Sequence, residues 1–186
     1  MKFEFGQIVL VLLAAGHSRR FGTPKLGALL HGKMLVHHAA STLIAASFAR
    51  KIAVVGDQDW GLSEFGFQRV QTTSTTQSES LTAGITAALK SNPRAIIIAL
   101  GDMPFVPLAH YQRLVDAFDG NCIASSSGKS PMPPAIFGPD HFVALCNLQG
   151  DKGAKSLLQN APAILASGHE LADIDTPEDL AAAEMR

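Results

Sequence analysis

The chain contains near its start the stretch VLLAAGHSRRFGTPK, residues 11–25, which joins an apolar run to a loop rich in glycine and positive charge. The apolar run is typical of a buried strand, and the loop after it carries two glycines, two arginines and one lysine. Glycine lets backbone amides approach phosphate oxygens, and the cations neutralise phosphate charge. The stretch therefore predicts a nucleoside triphosphate site at the end of a core strand.

The spacing within this loop excludes two common phosphate-binding motifs. A Walker loop requires GxxxxGK[ST], whereas Lys25 follows Gly22 by three residues and precedes Leu26, and no GxGxxG is present. The sequence therefore supports neither an ATPase P-loop nor a dinucleotide-binding fold. From composition alone, a solvated basic turn that binds nothing remains the alternative interpretation.

Strand and helix patterns alternate along the first two thirds of the chain. Apolar runs rich in Ile, Val and Leu predict buried parallel strands over 8–14, 52–55 and 95–100. Apolar spacing predicts helices over 35–48, from a cap at Ser80 to Leu89, and over 108–118. Later patterns predict strands at 122–125, 135–137 and 163–166, short helices near 142–145 and 153–159, and a last helix opened by Pro177. This alternation predicts an α/β fold with an open sheet, and we interpret the polar, proline-rich loop 126–134 as a lid on the substrate side.

Composition restricts the class of protein further. The 186 residues are 47% apolar and 17% charged, which predicts one domain spanning 1–186. A formal charge of -1 gives no field that would attract nucleic acid or an anionic membrane. The apolar run 8–15 is too short for a membrane span, and two arginines follow where a signal peptide carries small residues, so we expect a core strand. Two cysteines without close spacing favour a reducing, cytoplasmic setting and thiols without a chemical role.

The motif GDMP, residues 101–104, follows the most apolar predicted strand. Ligands of open α/β sheets bind beyond the carboxyl ends of the strands, which places Asp102 in the same crevice as the first loop. One or two carboxylates, with substrate phosphates and water, are enough to bind Mg²⁺. A structural role for Asp102 in a tight turn before Pro104 is the alternative.

The segment DIDTPEDL, residues 173–180, contains further carboxylates. Thr176 and Pro177 predict a helix start, so Glu178 and Asp179 are expected to be first-turn residues favoured by the helix dipole. Asp173 and Asp175 lie two residues apart in an extended segment, and we expect one of them to face the crevice. The residues themselves do not decide which one.

Taken together, these motifs resemble a known family, the nucleotidyltransferases of molybdenum cofactor synthesis. Among them the chain is most similar to the molybdenum cofactor cytidylyltransferases. The resemblance extends from about residue 8 to the C-terminus and rests on LAAGHSRRFGTPKL (13–26), QSESLTAG (77–84), GDMPFV (101–106), PPAIF (133–137), GDKGAKSLL (150–158) and DIDTPEDL (173–180). It implies a three-layer α/β/α architecture with a mostly parallel open sheet, the Rossmann-like fold of the nucleoside-diphosphate-sugar transferases.

The resemblance also implies roles for matching residues. Leu13, Ala14, Ala15 and Gly16 would line the nucleotide pocket, Arg19 and Lys25 would contact the triphosphate, and Ser80 and Gly84 would lie beside the base and ribose. Asp102 and Asp175 would hold Mg²⁺, while Asp151 and Lys155 would lie near the acceptor. Related guanylyltransferases usually read LAGG, so Ala15 favours CTP over GTP as the substrate.

One departure from the family pattern concerns the acceptor. Relatives often carry a segment of the Gly-Arg-Pro-Gly-His-Pro type, whereas residues 130–134 read SPMPP. The implied reaction transfers CMP from CTP to the terminal phosphate of molybdopterin-type cofactor and releases pyrophosphate. Two alternatives stay open: another phosphorylated acceptor such as a sugar or polyol phosphate, or a non-catalytic carrier or maturation factor that binds cofactor and delivers it to a molybdoenzyme. The protein partner implied is a molybdoenzyme or its maturation factor.

Other polar and aromatic residues carry weaker signals. His17 lies in the phosphate loop but is expected on its surface or side wall, and the pair His37 and His38 lacks zinc-ligand spacing. Trp60 is expected to pack or anchor its loop in preference to stacking on a base.

Overall fold

The computed structural model describes residues 2–16, 21–73, 76–150 and 153–185. Nine strands run over Ile8–Ala14 (β1), Leu29–Leu30 (β2), Lys33–Met34 (β3), Arg50–Val55 (β4), Gln68–Gln71 (β5), Ala95–Leu100 (β6), Cys122–Ser126 (β7), Met132–Phe137 (β8) and Ala163–Leu165 (β9). Six α-helices run over Leu35–Ile44 (α1), Gln77–Leu89 (α2), Leu108–Ala117 (α3), Phe142–Cys146 (α4), Lys155–Leu158 (α5) and Pro177–Glu184 (α6). These ranges refer to the described residues, where no helix is long and apolar enough to cross a membrane.

Seven strands form one sheet in the order β5-β4-β1-β6-β8-β7-β9, and β2 pairs with β3 in a separate hairpin. Within the described sheet, β8 is antiparallel to β6 and β7, and the remaining pairs are parallel. Two apolar clusters cover its opposite faces, because β1, β4 and β6 alternate their buried side chains between them. This arrangement confirms the predicted three-layer, mostly parallel α/β fold.

The topology places a crevice beside β1. From β1 the chain moves outward to β4 and β5, then crosses back to β6 on the other side of β1. Such a reversal separates the loops that follow the two neighbouring strands, which opens a ligand crevice at their carboxyl ends. The amide of Gly101 donates to the carbonyl of Leu13 at 2.9 Å, so the two strand ends are held together there.

Two predicted helix boundaries are wrong. Helix α2 begins at Gln77, because Thr76 caps it by accepting a hydrogen bond from the Glu79 amide at 3.3 Å. Ser80 therefore lies inside the helix, where its hydroxyl donates to the Thr76 carbonyl at 3.1 Å. Helix α1 ends at Ile44 and not near Phe48, since the Ala49 amide already donates to the Ile8 carbonyl on the way into β4.

Strand β8 begins three residues earlier than predicted. Met132 pairs with Ser125, although Pro133 and Pro134 within the strand have no amide hydrogen to donate. The register of β7 against β8 shifts between Ile123 and Ser125, which accommodates this proline pair. The predicted lid over 126–134 is consequently shorter, because its last residues belong to the sheet.

A buried polar network joins α3 to the strands β7, β8 and β9. Arg113 donates to Nδ1 of His110 at 3.0 Å, which leaves the proton of this ring on Nε2, 2.7 Å from the Ser125 hydroxyl. The Ser125 hydroxyl donates to the Pro134 carbonyl at 2.7 Å, and Arg113 also donates to the Leu165 carbonyl at 3.1 Å. The network thus connects α3, β7, β8 and β9 through one histidine that is completely buried.

Candidate active site

The carboxyl end of β1 supplies one wall of the candidate site. Ala14 and Ala15 are buried there, and Gly16 is exposed at the start of the loop. Gly101 lies directly beside them: a Cβ on this residue would lie 3.2 Å from the Leu13 carbonyl and 3.1 Å from Val36. The adjacent loops approach closely because glycine occupies this position.

Lys25 enters the site from a short 3-10 helix, Lys25–Gly27, that follows Pro24. Its ammonium lies 2.7 Å from Oδ2 of Asp102 and 2.7 Å from Oδ1 of Asp175, and its side chain is 10% exposed. Burial by itself lowers the pKa of Lys25, but the charge of Asp102 and the hydrogen bonds to both carboxylates outweigh burial and raise that pKa above its ordinary value. Lys25 is therefore a permanent cation between two carboxylates.

The tertiary structure selects Asp175 over Asp173. The Ile174 amide donates to the Asp102 carbonyl at 3.0 Å, which places residues 173–175 along the turn after β6. Ile174 is buried against Leu30 and Leu35, so its two neighbours point the other way, and Asp175 is the one that contacts Lys25. Asp173 is exposed. Desolvation raises the pKa of Asp173, and the charges of Asp175 and Asp102 add to this rise.

The helix start predicted at Thr176 holds Asp175 in place. The Thr176 hydroxyl accepts from the Asp179 amide at 3.1 Å, and the Asp179 carboxylate accepts from the amides of Asp175 and Thr176. Asp179 lies in the first turn, as the sequence predicted, and it also completes the helix cap with Thr176. The cap fixes the backbone of Asp175 next to the Lys25 ammonium.

One carboxylate oxygen at this site is available to a cation. Oδ1 of Asp102 is buried and has no hydrogen-bond partner among the described residues. A buried acceptor without a partner is costly, and a hard divalent cation prefers such carboxylate oxygens. The residues of the site thus fit a divalent cation held by Asp102 with Asp175, although the described residues contain no group of three or more metal-ligating side chains.

A cleft of about 380 Å³ adjoins these charged residues. Its lining comes from two loops, the one that leads from β1 to Lys25 and the one after β4: Ala14, Ala15, Gly16, Gly22, Thr23, Pro24, Gly56, Asp57, Gln58 and Trp60. The loop after β4 was not predicted to contribute. Its position follows from the sheet order, since β4 is parallel to β1 and next to it, so their carboxyl ends share one edge.

Trp60 anchors its own loop, as expected from the sequence, and its side chain also lines the cleft. The indole N–H donates to the Ala14 carbonyl at 3.1 Å, and the Trp60 carbonyl lies 2.6 Å from Nε2 of His37. A Cβ on Gly27 would lie 2.9 Å from the Trp60 ring. The ring therefore packs against the turn that carries Lys25.

Five other residues of the expected site lie outside the lining of this cleft or outside the described residues. Ser80 and Gly84 lie on α2 and do not belong to the lining of this cleft; Gly84 is buried where α2 crosses the sheet, with Val11 and Val54 next to its Cα. Lys155 is exposed at the start of α5. Arg19 and Asp151, like His17, lie outside the described residues.

The fold and the cleft define a class of protein, an α/β protein with a Rossmann-like sheet and a cleft at the carboxyl ends of β1 and β4. Sequence comparison specifies the class: the model for the MobA-like NTP transferase domain matches residues 10–167. The chain belongs to the MobA-like NTP transferase family and is a nucleotidyltransferase.

Three individual proteins that resemble this chain share 20% to 29% sequence identity with it. The purine catabolism protein PucB of Bacillus subtilis (strain 168) is 29% identical over 191 residues, covering 92% of this chain and 93% of PucB. Rv0371c from Mycobacterium tuberculosis H37Rv has a TM-score of 0.84 at 24% identity, covering 97% of this chain and 99% of its own. Molybdopterin-guanine dinucleotide biosynthesis protein A from Archaeoglobus fulgidus has a TM-score of 0.67 at 20% identity, covering 95% of this chain and 97% of its own. The two structural likenesses show the shared fold.

Proposed function

We propose that this nucleotidyltransferase is a Mg²⁺-dependent enzyme that transfers CMP from CTP to the terminal phosphate of a molybdopterin-type cofactor and releases pyrophosphate. The observation that carries the proposal is the Lys25, Asp102 and Asp175 cluster beside a cleft at the carboxyl ends of β1 and β4. A phosphate-binding cation and two carboxylates are what a metal-assisted transfer between phosphates requires.

The backbone at Ala14–Gly16 and the loop after β4 would hold the nucleoside, because both line the cleft. Lys25 would neutralise phosphate charge, together with Arg19. Asp102 and Asp175 would hold the divalent cation, which supplies further neutralisation of the triphosphate when bound. Rv0371c, of the same fold, has been solved in complex with manganese, with a TM-score of 0.81 and 23% identity to this chain.

The proposed reaction forms one P–O bond and breaks another. An oxygen of the acceptor phosphate attacks the α-phosphorus of CTP, and the bond from that phosphorus to the bridging oxygen of pyrophosphate breaks. A phosphate monoester is largely dianionic at pH 7, because its second pKa is about 6, so the attacking oxygen needs no general base. The chain then contributes positioning and charge neutralisation, which agrees with the absence of a nucleophile–base pair among the residues described at the cleft.

Ala15 supports CTP as the nucleotide. The LAAG sequence of this chain matches the cytidylyltransferase pattern, whereas related guanylyltransferases usually read LAGG. Ala15 is buried and lines the cleft, so its methyl group reduces the space next to the base. We place the reaction in the cytoplasm, supported by the free thiols of Cys122 and Cys146. Burial raises the pKa of Cys122 to about 11, which keeps this thiol protonated.

A thermal-shift panel tests the nucleotide assignment. CTP, GTP, UTP and ATP are added with and without Mg²⁺, and tripolyphosphate serves as the control for phosphate binding without a base. A ligand at 100 times its Kd stabilises the folded state by about 2.7 kcal/mol, so the selected nucleotide should raise the Tm by several degrees. We expect the largest shift with CTP and Mg²⁺; a larger shift with GTP would contradict the assignment.

Pyrophosphate release tests the acceptor. We expect CTP-dependent release with molybdenum cofactor and none with simple sugar or polyol phosphates. Release with a sugar phosphate but not with the cofactor would support the alternative acceptor, and cofactor delivery without any release would support the carrier.

A further inference from the structure

The Lys25 ammonium serves as counterion to both carboxylates of the site. Its nitrogen lies 2.7 Å from one oxygen of Asp102 and 2.7 Å from one oxygen of Asp175, which directs two of its three N–H bonds to these groups. Residues from three separate regions of the chain meet here: the loop after β1, the turn after β6 and the segment before α6. The contact is therefore a product of the fold and not of neighbouring sequence positions.

The proposed function assigns the same three side chains to other partners. Lys25 is assigned to triphosphate oxygens, while Asp102 and Asp175 are assigned to a divalent cation. Oδ1 of Asp102 is open to a cation, whereas Oδ2 of Asp102 and Oδ1 of Asp175 face Lys25. A cation bound by both carboxylates would therefore compete with the ammonium for their charge. Lysine has a flexible four-carbon stem, so its ammonium can move from one set of oxygens to another.

We propose that Lys25 is an internal counterion that keeps Asp102 and Asp175 paired until a triphosphate draws its ammonium away, so that the metal binds with or after the nucleotide. This inference rests on the proposed use of these carboxylates for metal. It adds an order of binding. A protein built in this way binds divalent metal weakly without nucleotide, because Lys25 already neutralises the pair.

Binding of Mn²⁺ alone, followed by the paramagnetic signal of free Mn²⁺, tests the proposal without any turnover. In Lys25→Met the competing ammonium is gone, so we expect Mn²⁺ to bind at least about tenfold more tightly than to the wild-type protein. Lys25→Arg keeps the positive charge and should not gain affinity. Lys90→Met removes one exposed positive charge at the C-terminal end of α2, away from the site, and is the matched control for net charge.

Tripolyphosphate binding in the absence of metal should change in the opposite direction. Lys25→Met should bind it at least about tenfold more weakly, since the ammonium that would move onto phosphate is missing. Unchanged affinity of this variant for either Mn²⁺ or tripolyphosphate would overturn the proposal. Adding Asp175→Asn to Lys25→Met should abolish the gain in Mn²⁺ affinity; a retained gain would also overturn it, because the metal would then use Asp102 alone.

The wild-type protein provides a test that does not depend on the folding of Lys25→Met. The NMR signal of the Lys25 ammonium, assigned by its loss in Lys25→Arg, should remain in place with Mg²⁺ alone and shift when tripolyphosphate is added. An equal shift with Mg²⁺ alone would overturn the proposal. These measurements use neither CTP nor an acceptor, so an incorrect substrate assignment appears only in the pyrophosphate assay and is distinguishable from failure here.

Discussion

At the scale of single residues, Lys25 lies between Asp102 and Asp175, and this contact divides the carboxylates of the C-terminal segment into two kinds. Asp175 contacts the ammonium, whereas Asp173, two positions away, is exposed. The separation arises because the amides of Asp175 and Thr176 donate to the Asp179 carboxylate, so the helix cap fixes Asp175 beside Lys25. Two residues of the same type in the same short segment therefore have different surroundings.

Asparagine substitutions test this division. Asn has nearly the same shape as Asp but removes the charge, so Asp102→Asn and Asp175→Asn should each lower metal-dependent turnover by about 10²- to 10³-fold, the effect of losing one electrostatic stabiliser of a transition state. Asp173→Asn is the matched control and should stay within about threefold of wild type. Turnover is measured as pyrophosphate release, with circular dichroism to confirm folding.

A different ranking would contradict the assignment. Loss of turnover in Asp173→Asn, with Asp175→Asn active, would mean that Asp173, and not Asp175, faces the reacting groups when the substrate binds. Full activity in both Asp102→Asn and Asp175→Asn would remove the carboxylate pair from the mechanism.

At the scale of elements, the distance between α2 and the sheet depends on one glycine. A Cβ on Gly84 would lie 2.6 Å from Cγ1 of Val11 and 2.7 Å from Cγ2 of Val54, both closer than real Cβ contacts allow. The absent side chain lets α2 lie close to β1 and β4. Because β1 and β4 lead into loops that line the cleft, the close packing of α2 on these strands helps to fix the positions of those loops.

Gly84→Ala should destabilise the protein by about 1–3 kcal/mol, because the added methyl group overpacks the helix–sheet contact. This net loss is expected although alanine favours a helix interior by roughly 1 kcal/mol over glycine. Urea unfolding measures the free energy of unfolding. Gly168→Ala is the control, since a Cβ there meets no atom within 4 Å. A Gly84→Ala variant as stable as wild type would show that Val11 and Val54 move aside without cost.

At the scale of the whole molecule, His110 and its partners join α3 to the three strands β7, β8 and β9. Burial lowers the pKa of His110, the Arg113 charge lowers it further, and Glu170 opposes this change. The neutral ring fits the network, because Nδ1 accepts a hydrogen bond from Arg113. Protonation at Nδ1 would break that bond and place two positive charges together.

Stability should therefore fall in acid through this residue. Since the pKa of His110 is lower in the folded state than in the unfolded chain, the folded protein binds fewer protons, and its stabilisation is complete above pH 6.5 and is lost as pH falls from 6.5 through the folded-state pKa. His110→Gln should reduce the free energy of unfolding above pH 6.5, and its difference from wild type should shrink below that pH. Chemical unfolding at a series of pH values provides the measurement.

His141→Gln is the control for this experiment, because His141 is only partly buried and its ring bonds to the exposed side chain of Asn121. Equal pH dependence of the two variants, each compared with wild type, would contradict a specific role for His110.

The sequence alone determined the parts of the molecule that depend on local pattern. Buried parallel strands are continuously apolar, so β1, β4 and β6 were evident, and Thr176 with Pro177 predicted the start of α6. Strand β5 was missed because its residues, QRVQ, form an exposed edge without an apolar run. The start of β8 was missed because Pro133 and Pro134 are typical of loops.

Only the tertiary structure decided how the site is assembled. Asp173 and Asp175 are equivalent as a pattern, and the helix cap that fixes Asp175 beside Lys25, a residue 150 positions earlier in the chain, distinguishes them. Likewise, no local sequence pattern predicts the hydrogen bond of Trp60 to the Ala14 carbonyl or that of His110 to the Ser125 hydroxyl. Each of these bonds joins elements that the sheet order brings together. Periodicity is a property of neighbouring residues, whereas the pairing of Lys25 with both carboxylates depends on three distant segments converging at one edge of the sheet.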